Sequence, residues 1–181
     1  MRKLLVMLPL LCGSIACAQR APDTKTPTKE DLLITAAQLE TILNNVPVSK
    51  ETGKPGEVSS KLLDDGKSNV AFIRLNEADK PHVHDKFSEI YIIKEGSGTL
   101  ETGGTMLGPF TSGGVHHQQA QAPRAPAPEV GGDKAGTAIE GGRFQEVKAG
   151  DVVFIPADIP HTWTKVEKPL IYFAIKVPRA D

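Results

Sequence analysis

His82 and His84 stand one residue apart, and five positions later Glu89 opens the run Ile90-Tyr91-Ile92-Ile93. Successive side chains along a strand point to opposite faces, so in an extended chain His82 and His84 share a face, as do Glu89, Tyr91 and Ile93. β-branched and aromatic residues favour that extended state, and the run is predicted to be a strand reaching a turn at Glu95-Gly96. A strand that sets two imidazoles on one side restricts the chain to a sheet with a polar, ligand-bearing face.

Far downstream, Gly150-Asp151-Val152-Val153-Phe154-Ile155-Pro156-Ala157-Asp158-Ile159-Pro160 leads into His161. His82, His84, His161 and Glu89 together read as a metal site, because three imidazoles and one carboxylate form the mixed donor set that divalent first-row transition ions accept. Four protein donors leave two positions on an octahedral iron, manganese or nickel ion, which favours these three; zinc or copper would also be accepted. Such an open site suits catalysis. His116 and His117, in a Gly- and Gln-rich stretch, read as solvent-exposed loop residues.

The two blocks resemble the paired motifs of the cupin family, the second being a Gly, five residues, a Pro, and a His five positions after the Pro. The resemblance spans roughly residues 57 to 177 and implies an all-β fold, a double-stranded β-helix or jelly-roll barrel. It also implies that His82, His84, Glu89 and His161 are the metal ligands. Where that family carries glycine this chain has Asn76 and Asp158, residues that can also take positive φ, and the family's Asn four residues after the last His is Lys165. Cupins include dioxygenases, oxalate-degrading enzymes, sugar isomerases, lyases, sugar-binding regulatory domains and storage proteins, so the fold does not select a function. The expectation is a metal-dependent, dioxygenase-type enzyme acting on a small organic molecule with an oxygen-donor chelating group. The alternative is a module that binds a small ligand without turning it over, and the third reading is a barrel whose metal only rigidifies the fold. The resemblance further implies a homodimer paired through its sheets.

The N-terminus sets Arg2 and Lys3 before Leu4-Leu5-Val6-Met7-Leu8-Pro9-Leu10-Leu11, an apolar core too short to span a membrane. Residues 1–18 read as a secretory signal cleaved after Ala16-Cys17-Ala18, which places the product in the periplasm or outside the cell. Cleavage would leave 19 basic against 22 acidic residues, a net charge of about −3, and nothing suggests a nucleic-acid partner. Cys12 and Cys17 both fall in the signal, so the mature domain would hold no disulfide. A lipid anchor at Cys17 is the competing reading; Ala16 suits it, whereas Ser14 stands where an apolar residue is usual.

Residues 19–30 read as a flexible lead-in and 31–181 as one domain, a length ordinary for a single barrel. Thr35-Ala36-Ala37-Gln38 is a capping-box pattern, and Leu39, Ile42, Leu43 and Val46 at helical spacing predict one short amphipathic helix against the barrel. Strands are expected at Glu57–Leu63, Ser68–Leu75, Thr99–Glu101, Thr105–Leu107, Thr137–Glu140, Arg143–Val147, Val152–Ile155, His161–Thr164 and Leu170–Val177. A Gly-, Pro-, Gln- and Ala-rich stretch at about 108–136 reads as a long loop insertion, sooner a disordered segment than a lid, with Phe110 and His117 the residues to watch if it folds over the barrel mouth. Parity with the ligands nominates Tyr91, Ile93 and Trp163 for a substrate pocket; Arg74 joins them if the face it shares with Val70 and Phe72 is internal.

Overall fold

The computed structural model describes residues 33–48, 55–112 and 133–179. The leader and lead-in read over 1–30, both cysteines, His116, His117 and the middle of the insertion lie outside these residues.

Helix α1 (Ala36–Asn44) begins at the predicted cap: the Thr35 hydroxyl accepts a hydrogen bond from the Gln38 amide, and the Gln38 side chain accepts one from the Thr35 amide at 2.8 Å. Both bonds satisfy amides that a helix start leaves open. Nine residues hold poorly alone, and Leu39, Ile42 and Leu43 lie against Leu62, Phe72 and Ile171 on the outside of the sheet.

The strands follow as β1 (Val58–Asp64), β2 (Asn69–Leu75), β3 (His82–His84), β4 (Phe87–Thr102), β5 (Thr105–Leu107), β6 (Thr111–Ser112), β7 (Asp133–Ala135), β8 (Ala138–Glu140), β9 (Arg143–Lys148), β10 (Val152–Ile155) and β11 (His161–Pro178). Strands β4 and β11 run antiparallel to each other from His161 opposite Thr102 to Pro178 opposite Phe87. Around the early half of β4 and the late half of β11 lie β10 on one side and β2 with β1 on the other. Around the remaining halves lie β9 on one side and β3, β7 and β6 on the other. The pair β5–β8 forms a separate ribbon. Among the described residues the result is all-β with one short helix, a curled antiparallel sheet of the double-stranded β-helix type, as expected. Between the two halves sits a core of Ile73, Leu75, Tyr91, Ile93, Leu100, Val147, Ile155, Trp163, Leu170 and Tyr172.

The turn expected at Glu95-Gly96 is absent, and the strands expected to end near it are continuous. Gly96, at φ +82°, is the corner where β4 passes from one half of the barrel to the other. A Cβ there would lie 2.4 Å from the Pro169 carbonyl oxygen, where β11 bends in step. For the same reason His161–Thr164 and Leu170–Val177 are not two strands but the ends of β11, with register shifts absorbing the bend. Gly96→Ala should therefore cost more than the ~1–2 kcal/mol that a left-handed backbone imposes on a side chain. Gly66→Ala is the control, since Gly66 has φ +79° and no described atom lies within 4 Å of the point a Cβ would take. Urea unfolding of both variants measures the difference, and equal losses would mean the corner has room.

The two ends of the insertion are strands, because β6 pairs with β7 and β7 with β3, which carries the histidines. Phe110 is exposed.

Candidate metal centre

His82 and His161 are direct cross-strand neighbours, and His84 follows two residues along on the same face of β3. Their rings lie close, with centroids 4.2 Å apart for His82–His161, 5.3 Å for His82–His84 and 5.6 Å for His84–His161. Glu89 enters from the other half of the barrel, near the start of β4. One ligand atom from each of the four residues falls within 4.8 Å of all the others, and all four residues are buried.

Local hydrogen bonds hold the neighbouring chain in place. The Asp79 carboxylate accepts from the Thr162 hydroxyl at 2.7 Å and the Trp163 amide at 2.6 Å, fastening the approach to β3 beside the start of β11. The Asp158 amide donates to the His84 carbonyl at 2.8 Å, and Asp158 takes the positive φ, +66°, anticipated at that position. Asn76 does not take it.

Each imidazole is held from behind. Nδ1 of His82 bonds the Lys80 carbonyl and Nδ1 of His161 the Ile159 carbonyl, each at 2.9 Å. A carbonyl oxygen only accepts, so the hydrogen must sit on Nδ1, and in the neutral ring the Nε2 lone pair is left for the cluster. His84 Nδ1 bonds Asp133 Oδ1 at 2.5 Å. Nε2 of His84 and of His161 lie 3.3 and 2.9 Å from the two Glu89 oxygens. Yet His161 Nε2, wholly buried, has no hydrogen-bond partner among the described residues. His161 Nε2 and the Glu89 carboxylate are close and face each other without an aligned hydrogen bond, an arrangement in which both atoms are available to one cation. The residues present fit a divalent metal.

The electrostatics suit the same occupant. Burial drives the His82 imidazole well below its usual range, with the neighbouring His161 adding to the effect, so it is a neutral ligand. Burial alone would raise the Glu89 carboxyl, but the His161 and His84 rings against it outweigh this and hold it well below the usual carboxylate range. Burial would likewise lower His84, yet the Asp133 hydrogen bond and the Glu89 contacts raise it. A metal must displace a proton from a raised imidazole, so affinity should fall as pH drops through and below neutrality, by about tenfold per unit once His84 is protonated. Isothermal titration across a pH range of about 5.5 to 8.5, which brackets the ordinary imidazole value, checks this, and a flat profile would exclude His84 as the competing base.

The predicted pocket residues separate into two groups. Tyr91 touches the cluster: its phenol, kept neutral by burial and by the Glu89 charge, donates to Glu89 Oε2 at 2.8 Å. Trp163 stacks on Tyr91 at 6.1 Å and Ile93 lies in the same core. Arg74 is not brought there. It shares its face with Phe72, and that face packs under α1 outside the barrel, where Arg74 Nε donates to Asn76. Two residues that sequence reasoning did not nominate do reach the cluster, Asp133 on β7 and Lys176 on β11. Lys176 Nζ lies 3.7 Å from Glu89 Oε1. Its position opposite Glu89 follows from strand register, which no local pattern encodes.

No family model matches the chain, and no curated protein matches it. Among solved structures it is similar to a conserved protein with a double-stranded β-helix domain from Klebsiella pneumoniae, at 14% identity and TM-score 0.45, covering 82% of this chain and 91% of that one. It is similar to KdgF from Halomonas sp., at 13% identity and TM-score 0.44, covering 71% and 84%. A predicted oxalate decarboxylase from Thermotoga maritima shows 18% identity and TM-score 0.43, covering 67% and 80%. At such distances none of them speaks to what this chain binds.

Proposed function

We propose that this chain is a metal-binding cupin, and that it is an exported enzyme in which His82, His84, Glu89 and His161 hold one divalent ion, iron, manganese or nickel before zinc or copper. Its substrate would be a small organic molecule with an oxygen-donor chelating group, and its reaction of the dioxygenase type. The observation that supports the metal-binding part of this reading is the buried His161 Nε2, which makes no hydrogen bond although it lies 2.9 Å from the Glu89 carboxylate. A bound ion would supply Lewis acidity, and redox capacity unless it is zinc, at any position the four ligands leave open. The chain itself does the rest. Nδ1 bonds keep the imidazole lone pairs directed inward, the Tyr91 phenol holds one Glu89 oxygen, and the core of Trp163, Tyr91 and Tyr172 keeps water from one side of the site. Export rests on the leader sequence alone, and no described helix is long and apolar enough to cross a membrane.

A ligand-binding module is the second reading, favoured by the fact that Asp133 and Lys176, the charged groups beside the ligands, are engaged with each other at 3.4 Å. Elemental analysis of protein purified without added metal, followed by oxygen-uptake screening against small hydroxy and keto acids, tests both. Near-stoichiometric metal with substrate-dependent oxygen consumption supports the enzyme. Metal with ligand-induced thermal shifts but no turnover favours the module, and a protein that neither carries nor takes up metal overturns both.

A further inference from the structure

The three imidazoles are not held alike. His82 and His161 each lean on a carbonyl two residues earlier in their own segment, so their orientation is fixed wherever that segment folds. His84 leans on the side chain of Asp133, 49 residues away in sequence and directly opposite it across the β3–β7 pair. Asp133 is itself held, with Oδ2 3.4 Å from Lys176 Nζ, and Lys176 is the cross-strand neighbour of Glu89. All of these groups are largely withdrawn from solvent, Asp133 retaining 16% and Lys176 20% side-chain exposure.

We infer that Asp133, braced by Lys176, is the positioning residue of this centre: it fixes His84 with its hydrogen on Nδ1 and its Nε2 lone pair turned to the ion. The inference rests on the reading of the cluster as a metal site, and its physical basis is a competition for one proton. A carboxylate can only accept, so the 2.5 Å bond to Asp133 places the hydrogen on Nδ1, and it outweighs the longer approach of Lys176 Nζ to the same nitrogen at 3.4 Å. Glu89 Oε1, 3.3 Å from His84 Nε2, pulls the same hydrogen toward the opposite nitrogen, where it would block coordination. The backbone-held histidines have no such dependence on a distant side chain. The C-terminal strand of the insertion thereby becomes part of the centre, through its one carboxylate.

The test has two arms. In metal-free protein labelled with ¹⁵N-histidine at a pH of about 9, well above the ordinary imidazole value, nitrogen correlation spectra should show His84 as the Nδ1–H tautomer. Asp133→Ala should move it toward Nε2–H and leave His82 and His161 as they were. In cobalt(II) titrations against a competing chelator, Asp133→Ala should weaken binding by about 10- to 100-fold and alter the visible d–d bands. Asp133→Asn, which can still accept the hydrogen bond, should recover most of both, and circular dichroism confirms that each variant is folded. A wild-type tautomer together with wild-type cobalt affinity in Asp133→Ala overturns the inference while leaving the metal centre standing. If wild type itself takes up no cobalt, the metal reading fails, and the tautomer arm alone then decides whether Asp133 orients His84.

Discussion

His161→Ala is expected to strip the centre of metal, from near-stoichiometric content to background, with affinity reduced more than about 100-fold. The floor comes from the outer contacts: losing a mere supporting hydrogen bond to a ligand typically costs about 10- to 100-fold, and here a donor itself is lost. His161 is 1% exposed, so no solvent group can substitute for it without opening the barrel. It also lies directly across from His82, so the paired position cannot be covered by a shift along the strand. Elemental analysis and cobalt titration of the folded variant check this. Retained stoichiometric metal would mean that His82, His84 and Glu89 suffice, and that His161 serves packing.

Trp163→Ala should destabilise the protein by about 3–5 kcal/mol, the range for removing a large aromatic from a closed core. Trp163 is 1% exposed, stacks on Tyr91 at 6.1 Å and meets Tyr172 at 5.8 Å, so truncation leaves a void bounded by rigid rings. For a chain of this size the loss corresponds to roughly 6–20 °C in Tm. Metal affinity should fall far less than in His161→Ala, because the Trp163 ring supplies no ligand and meets the site through Tyr91, whose phenol bonds Glu89. A loss below about 1 kcal/mol in denaturant unfolding would show that the surrounding side chains collapse into the space.

What sequence could disclose here followed chemical locality. His82, His84 and Glu89 lie within one short stretch, and period-two alternation alone predicts which of them share a face; the structure brings them together with His161. Helix α1 was legible because its cap is a local bond between residues three apart. Gly96 misled, because a glycine of positive φ signals a hairpin and a strand corner equally, and only the Pro169 carbonyl pressed against it distinguishes them. Arg74 was grouped with the right neighbours, Val70 and Phe72, but both faces of β2 are apolar, one under the helix and one in the barrel, so parity could not say which was inside. Asp133 follows two glycines in a stretch without periodicity, and its partner is chosen by a strand pairing formed across the insertion.

The pairing of β4 with β11 also governs when the protein can become whole. The two strands adjoin along their lengths, yet the whole of the insertion and four further strands separate them in the chain. Pairing strands so far apart in the chain costs loop-closure entropy, which the intervening β9 and β10 reduce by pairing with β4 themselves. Until it occurs, His82, His84 and Glu89 belong to a nascent chain that lacks its fourth donor. The four-donor site is therefore complete only where β11 has joined its neighbours, and a chain without that pairing offers an ion at most three of the four ligands.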